Sequence, residues 1–384
     1  MDDWSLACLF LILFMFFVLV YGKAVSFDAE RRYGKAVGKS TFQNVNSAEP
    51  QILPISFAIP LSMFRVPGKK TDEFSKLVPR DRKTYIYNTE DEYYAQYQHS
   101  KFGITMSKAG HDSMRHYEII AAGAIPHFKN LHLVPKNTMH TFPRDIVTRA
   151  MNGENYEKCL AELQEYARKH LTTEALGKYF LDATRAKDAK ILFVSQPSLI
   201  GANVDYQRDC LAIGLLQSER LRSTPHGVEA ADRLRSTPHG VEAADRLRST
   251  PTGVEAAGRL RSTPTGVEVD FYEDLPWLFD DYPGDCSSLY GMGYSICKKV
   301  PASKHRLVLK SDVFNKIYDL IIVATSSSNF KLDPEITKWL EKQSTVPKAL
   351  IIGNDGSFTS KFALELANRS YSFPFQFIFV RELN

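Results

Sequence analysis

The sequence predicts an α/β protein built from two doubly wound parallel sheets, and three observations carry that expectation. Short apolar runs alternate with segments long enough and charged enough to be surface helices, which is the order of βαβ units. The chain has 384 residues, 44% hydrophobic and 24% charged, which is globular composition at a length that suits two domains of common size. The apolar runs AKILFVS (189–195) and YDLIIVAT (318–325) are continuous rather than alternating, as strands covered on both faces are.

Ahead of these units stands WSLACLFLILFMFFVLVYG (4–22), uncharged and of bilayer-spanning length. It reads as a signal-anchor, which would hold the protein at a membrane, or as a cleaved signal peptide, within residues 1–23. Lys23, Arg31, Arg32 and Lys35 follow it, which by the positive-inside rule opposes a lumenal body. A stem or linker fills 24–51. Its GKAVGKST (34–41) imitates a phosphate loop, but it has three residues instead of four before the Gly-Lys pair and no apolar strand in front.

The first half is expected over 52–186. ILPISFAIP (52–60) and KTYIY (83–87) read as strands, and Thr89 as the cap of a helix through EDEYYAQYQHS. KFGITMS (101–107) is a buried strand ended by KAG. Ser113 can cap the next helix, which carries Arg115, His116 and Glu118 in its first turns and Ile119, Ile120 and Ala122 on a core face. Gly123 ends it, and AIPHF is the following strand. In a parallel α/β sheet, ligands gather at strand carboxyl ends, beside such helix starts. A helix start favours phosphate, Arg115 adds a bidentate cation, and Glu118 can accept two hydrogen bonds from vicinal hydroxyls. The cluster therefore suits a nucleotide diphosphate. The alternative is a surface ion pair between Arg115 and Glu118 of small energetic worth.

The second half is expected over 187–384. After AKILFVS comes a helix in VDYQRDCLAIGLLQ, then strands VEVDFY (267–272), YDLIIVAT, KALIIGN (348–354) and FQFIFV (375–380), with helices between the last three. RLRSTPHGVEAAD recurs with small changes at 220, 233, 246 and 259. Units of this size with one Val and one Leu cannot bury a layer, so 220–258 is a solvated tandem expansion in a loop and not a solenoid. A net charge of +4, with no basic cluster, gives no case for nucleic acid. No Cys pair has zinc-site spacing, and His127, His132 and His140 stand at no metal spacing, so neither metal nor cofactor is expected. Cys286 and Cys297 either pair in an oxidising compartment or stay free thiols.

FGITMSKAGHDSMRHYEIIAAGAIPHF (102–128) resembles the donor-site motif of glycosyltransferases with two Rossmann-like domains, the GT-B architecture, and in particular exostosin-like enzymes. LVPKNTMHTFPRDI (133–146), the paired helices over 156–186, DYQRDCLAIGL, LYGMGY (289–294) and VREL (380–383) resemble further segments of that family. The resemblance implies a nucleotide sugar as donor, with Glu118 on the ribose, Lys108 and Arg115 on the diphosphate, and Gly110 and His116 in the same donor group. It implies an acceptor, a glycan, protein or lipid hydroxyl, on the side of Ser195, Tyr290, Gly291 and Gly293. It implies localisation as a single-pass protein of the endoplasmic reticulum, Golgi or cell surface. Many retaining members carry a second Glu eight residues before the helix Glu, where this chain has Gly110. No residue is assigned as catalytic base. In the family the half ending in REL comes first, so this chain reads as circularly permuted, its last strand ending close to where its first begins. The other reading is an inactive relative that binds glycans or a partner.

Overall fold

Two parallel sheets organise the described residues, one of six strands and one of three. The computed structural model describes residues 49–195, 205–218, 266–325, 332–356 and 358–384. The expected anchor, GKAVGKST, most of the stem and the repeat 220–258 lie outside the described residues. Among the described residues no helix is long and apolar enough to cross a membrane.

The strands are β1 (Gln51–Pro54), β2 (Asp72–Phe74), β3 (Ser100–Thr105), β4 (Ile125–Phe128), β5 (Lys190–Val194), β6 (Glu268–Tyr272), β7 (Leu320–Thr325), β8 (Lys348–Ile352) and β9 (Phe377–Val380). The larger sheet runs β1-β9-β8-β7-β5-β6 and the smaller β2-β3-β4, with every pairing parallel. Parallel strands need long crossovers, and here helices supply them: α1 (Glu90–His99), α2 (Met114–Ala121), α3 (Arg144–Met151), α4 (Tyr156–His170), α5 (Thr173–Thr184), α6 (Tyr206–Gln217), α7 (Lys310–Asn315), α8 (Pro334–Lys342) and α9 (Ser360–Ser370). The continuous apolar runs behave as expected of strands covered on both faces. In β5, Ile191 and Phe193 enter one core with α5 and α6, while Leu192 and Val194 enter another with α8 and α9.

The two bodies interleave in sequence. β1 does not join the sheet of the residues that follow it; it pairs with β9, Gln51 opposite Phe377 and Pro54 opposite Val380. α5 also belongs to the larger body, where Leu176 and Phe180 share a core with α6. The smaller body spans roughly Ile59 to Leu171, around a core rich in tyrosine. Two crossings between the bodies, among the described residues, touch each other: Ile59 N–H donates to the Leu171 carbonyl at 3.0 Å and Thr173 N–H to the Ile59 carbonyl at 3.1 Å. Because β1 and β9 are parallel, the last strand ends beside the end of the first, not beside its beginning as the permuted reading expects.

Local signals account for most boundaries. Thr89 accepts a hydrogen bond from Glu92 N–H and starts α1. Gly123 takes φ +83° just past α2, a left-handed position that a side chain would strain, and a Cβ there would strike Pro67. KTYIY is not a strand. The Thr84 hydroxyl donates to the Val78 and Asp81 carbonyls, folding Arg82–Thr84 into a tight turn, and Tyr85 and Ile86 follow it exposed. At the α5–α6 crossing two glycines bring the backbones together: a Cβ on Gly177 would stand 2.5 Å from the Gly214 carbonyl oxygen.

Candidate functional site

Between the bodies lies a cavity of about 500 Å³, at the carboxyl end of β3 and the start of α2. Lys108, Gly110, Arg115 and Glu118 all line it, so one strand–loop–helix unit delivers four of the five expected donor residues to one place. The loop is a tight turn in which Lys108 N–H donates to the Gly110 carbonyl at 2.9 Å. Ser113 occupies the cap position of α2 in extended conformation, yet its hydroxyl makes no capping bond. α2 lies flat on β3, because a Cβ on Gly103 would be 2.6 Å from Ile119.

Arg115 reaches outward. One guanidinium nitrogen donates to the Tyr85 hydroxyl at 3.1 Å, and the guanidinium carbon lies 5.2 Å from the Tyr85 ring centroid. Burial alone would raise the Tyr85 phenol, but the Arg115 hydrogen bond with the charges of Arg115 and Lys108 lowers it below the usual tyrosine value. Glu118, 7% exposed, accepts from the Tyr93 hydroxyl at 2.6 Å on one oxygen and from the Ser295 hydroxyl on the other. A carboxylate has about four acceptor positions, so each oxygen keeps a second one. Arg115 and Glu118 are not partners of each other: each bonds elsewhere, and the surface-pair reading of the sequence fails on that geometry.

His116 is not part of the cavity wall. It is fully buried, stacks on Phe128 with centroids 4.7 Å apart, and bonds to the Thr105 hydroxyl at 2.8 Å and the His111 carbonyl at 2.9 Å. Burial holds its pKa down at about 4, so it packs as a neutral ring. Gly110 has a steric reason: a Cβ there would stand 2.5 Å from a Glu382 carboxylate oxygen and 2.9 Å from one of Asp355. Glu382 accepts from His111 N–H at 3.1 Å and Asp112 N–H at 2.9 Å, tying the C-terminal VREL of the larger body to the loop before α2. Beside it Arg381, 2% exposed, donates to the Asp112 carbonyl at 2.8 Å and to Asp355 at 2.5 Å.

Tyr206 and Asp355 of the larger body close the cavity together with Gly291, Met292 and Tyr294, a segment that lends Tyr294 to the core of the smaller body. Gly291 takes φ +67°, and a Cβ there would press on the Tyr206 hydroxyl at 2.7 Å. Gly293, at φ +61°, shapes the same turn without lining the cavity, and Ser195 is buried behind β5 with its hydroxyl unpartnered. The Tyr290 side chain lies outside the described residues. Cys286 and Cys297 form a disulfide with Cα atoms 5.8 Å apart, closing the segment that carries Gly291, Tyr294 and Ser295. Among the described residues no three His, Cys, Asp or Glu gather to hold a metal ion.

No family model, curated protein or solved structure matches this chain. Its chemistry is therefore read from the cavity itself. The sequence reading missed Asp112, Asp355, Tyr93 and Ser295. Asp112 is buried, accepting from Phe57 N–H at 2.8 Å and the Tyr117 hydroxyl at 3.0 Å. Burial pushes it up to about 7 against the opposing pull of Arg381 and the Phe57 hydrogen bond, with Glu382 adding to the rise. VREL was the one available signal for this network, since adjacent Arg and Glu after a buried strand must find partners.

Proposed function

We propose that the protein is a glycosyltransferase of GT-B type that moves a sugar from a nucleotide-sugar donor to a hydroxyl of a glycan, protein or lipid acceptor. The observation that carries this reading is the convergence of Lys108, Arg115 and Glu118 on one cavity at a helix start, between two parallel α/β bodies. Cations and helix amides suit a diphosphate leaving group, whose charge grows as the glycosidic bond breaks. The spare acceptor positions of Glu118 suit a ribose diol. Residues 4–22 would hold the enzyme at a membrane. The second reading, an inactive relative that only binds glycan or partner, is favoured by Glu118 already holding two hydroxyls.

The test is a thermal-shift panel of UDP, GDP, CDP, ADP and the corresponding nucleotide sugars. A diphosphate at a hundred times its Kd stabilises the fold by about 2.7 kcal/mol. Lys108→Ala and Arg115→Ala should abolish the shift and leave the unliganded melting curve nearly in place. Shifts with free sugars and none with any nucleotide support the binding-only reading; no shift with nucleotides removes the transferase.

A further inference from the structure

A transferase of this kind needs a group to take the proton of the acceptor hydroxyl, and three carboxylates line the cavity: Asp112, Glu118 and Asp355. Their surroundings separate them. Both Asp112 oxygens are taken, by Phe57 N–H and the Tyr117 hydroxyl, and the residue is 4% exposed. Glu118 is 7% exposed, and the positions its oxygens keep beyond the Tyr93 and Ser295 hydroxyls serve the ribose on the transferase reading. The Asp355 side chain is 56% exposed, and only one of its oxygens has a partner among the described residues, the guanidinium of Arg381 at 2.5 Å.

We infer that Asp355 is the general base of the transfer, held in place by Arg381 as a positioning residue; the inference rests on the transferase reading. Asp355 follows β8 at the carboxyl end of the larger parallel sheet, where ligands of such sheets bind. It faces the loop of Lys108 from the opposite body, since its bonded oxygen stands 2.9 Å from where a Cβ of Gly110 would be.

The scaffold is firm. Arg381 also donates to the Gly353 carbonyl at 2.9 Å and the Glu382 carboxylate at 2.9 Å, and lies 4.7 Å from the Phe57 ring centroid. Gly353 abuts α6, where a Cβ would be 2.8 Å from an Asp205 oxygen, so the exit of β8 has no room to shift. The guanidinium thus fixes one Asp355 oxygen and leaves the other to the cavity.

The step balances as a single displacement. The acceptor O–H proton passes to the Asp355 carboxylate as its oxygen bonds to the anomeric carbon. The bond from that carbon to the phosphate oxygen breaks, and its electron pair leaves with the nucleoside diphosphate, beside Lys108 and Arg115. The proton returns to solvent. One displacement inverts the anomeric centre.

The experiment uses the full chain with UDP-, GDP- and CDP-hexoses, octyl glucoside as acceptor, and release of nucleoside diphosphate as readout. Asp355→Asn should keep diphosphate affinity within twofold and lower release about 10²- to 10⁴-fold, the range of general acid–base catalysis. Proton NMR of the product should show inversion. If Asp355→Asn folds poorly, Asp355→Ser with added formate replaces it, and formate should restore part of the rate. Release by Asp355→Asn within threefold of wild type, no rescue of Asp355→Ser by formate, or a retained anomeric centre, overturns the assignment and leaves the transferase standing. Diphosphate binding with no release from any donor by the wild type removes transferase and base together.

Discussion

Glu382→Gln tests how the two bodies are held together, with shape unchanged and chemistry altered. Glu382 is 1% exposed, and its carboxylate receives three donors: His111 N–H on one oxygen, Asp112 N–H and Arg381 on the other. A glutamine has one acceptor oxygen. Placed to keep Asp112 and Arg381, it turns its NH2 group against His111 N–H, donor facing donor. The buried N–H loses its partner at about 1–3 kcal/mol, and exchanging the charge-assisted bond to Arg381 for a neutral acceptor adds about 1 kcal/mol. Arg381 keeps Asp355 and two carbonyls, so the lower part of the combined range is expected, about 2–3 kcal/mol. Urea unfolding of residues 49–384 measures it, with Glu335→Gln as control. Glu335 is 66% exposed in its pair with Lys310, and such surface pairs contribute about 0–1 kcal/mol. A Glu382→Gln midpoint equal to that of the control would refute the claim that this carboxylate clamps the cleft.

Three further outcomes are expected. Gly214→Ala places its Cβ on the Thr173 carbonyl and should cost about 3 kcal/mol or prevent folding, whereas Gly153→Ala, where a Cβ meets nothing, should cost far less through its φ of +88°; similar circular-dichroism melts for the two refute the close crossing. His140 is held down at about 4 by burial, so the folded state binds fewer protons than the unfolded chain between pH 6.5 and 4, and stability falls as pH falls through that window. Asp112, raised to about 7, and Asp209, raised to about 6, act in the opposite sense there, so the wild-type profile is flattened. His140→Gln should remove up to about 3 kcal/mol of the acid loss, read by urea midpoints at each pH, and an unchanged slope refutes it. Finally, rejoining Asn384 to Pro50 with new termini between Asp188 and Lys190 should fold with a linker of about a dozen residues and fail with a short one, because a parallel crossover must return the length of the strand; equal solubility of both products contradicts the register.

What the sequence makes legible is local. The runs of β5, β7 and β8 are apolar without interruption because both faces are covered, and that pattern needs no partner to be read. Thr89 and Gly123 announce helix ends through chemistry carried in their own few residues. Lys108, Arg115 and Glu118 reach one cavity because one loop and one helix carry them. The pairing of β1 with β9 is different, since a strand's apolar face fits many neighbours and nothing in QILP names Phe377–Val380. Tyr93, Ser295 and Asp355 meet the site from distant segments, each contributing one group that is unremarkable alone. KTYIY shows alternation without a neighbouring strand, and the Thr84 hydroxyl settles it as a turn.

The register of the larger sheet sets an order of events during synthesis. Gln51–Pro54 emerges from the ribosome long before its partner Phe377–Val380. The smaller body, closed between Ile59 and Leu171, can fold while the rest is still being translated. β1 waits beside it as an unpaired edge, with its backbone donors and acceptors open to any other strand. A ribosome stalled before β9 would therefore leave a folded smaller body carrying an exposed strand, and such a truncated chain would be a substrate for chaperones and a seed for aggregates. Pairing of β9 closes the sheet and fastens Arg381 and Glu382 into the cleft in the same event, so the cavity exists only in chains translated past Glu382.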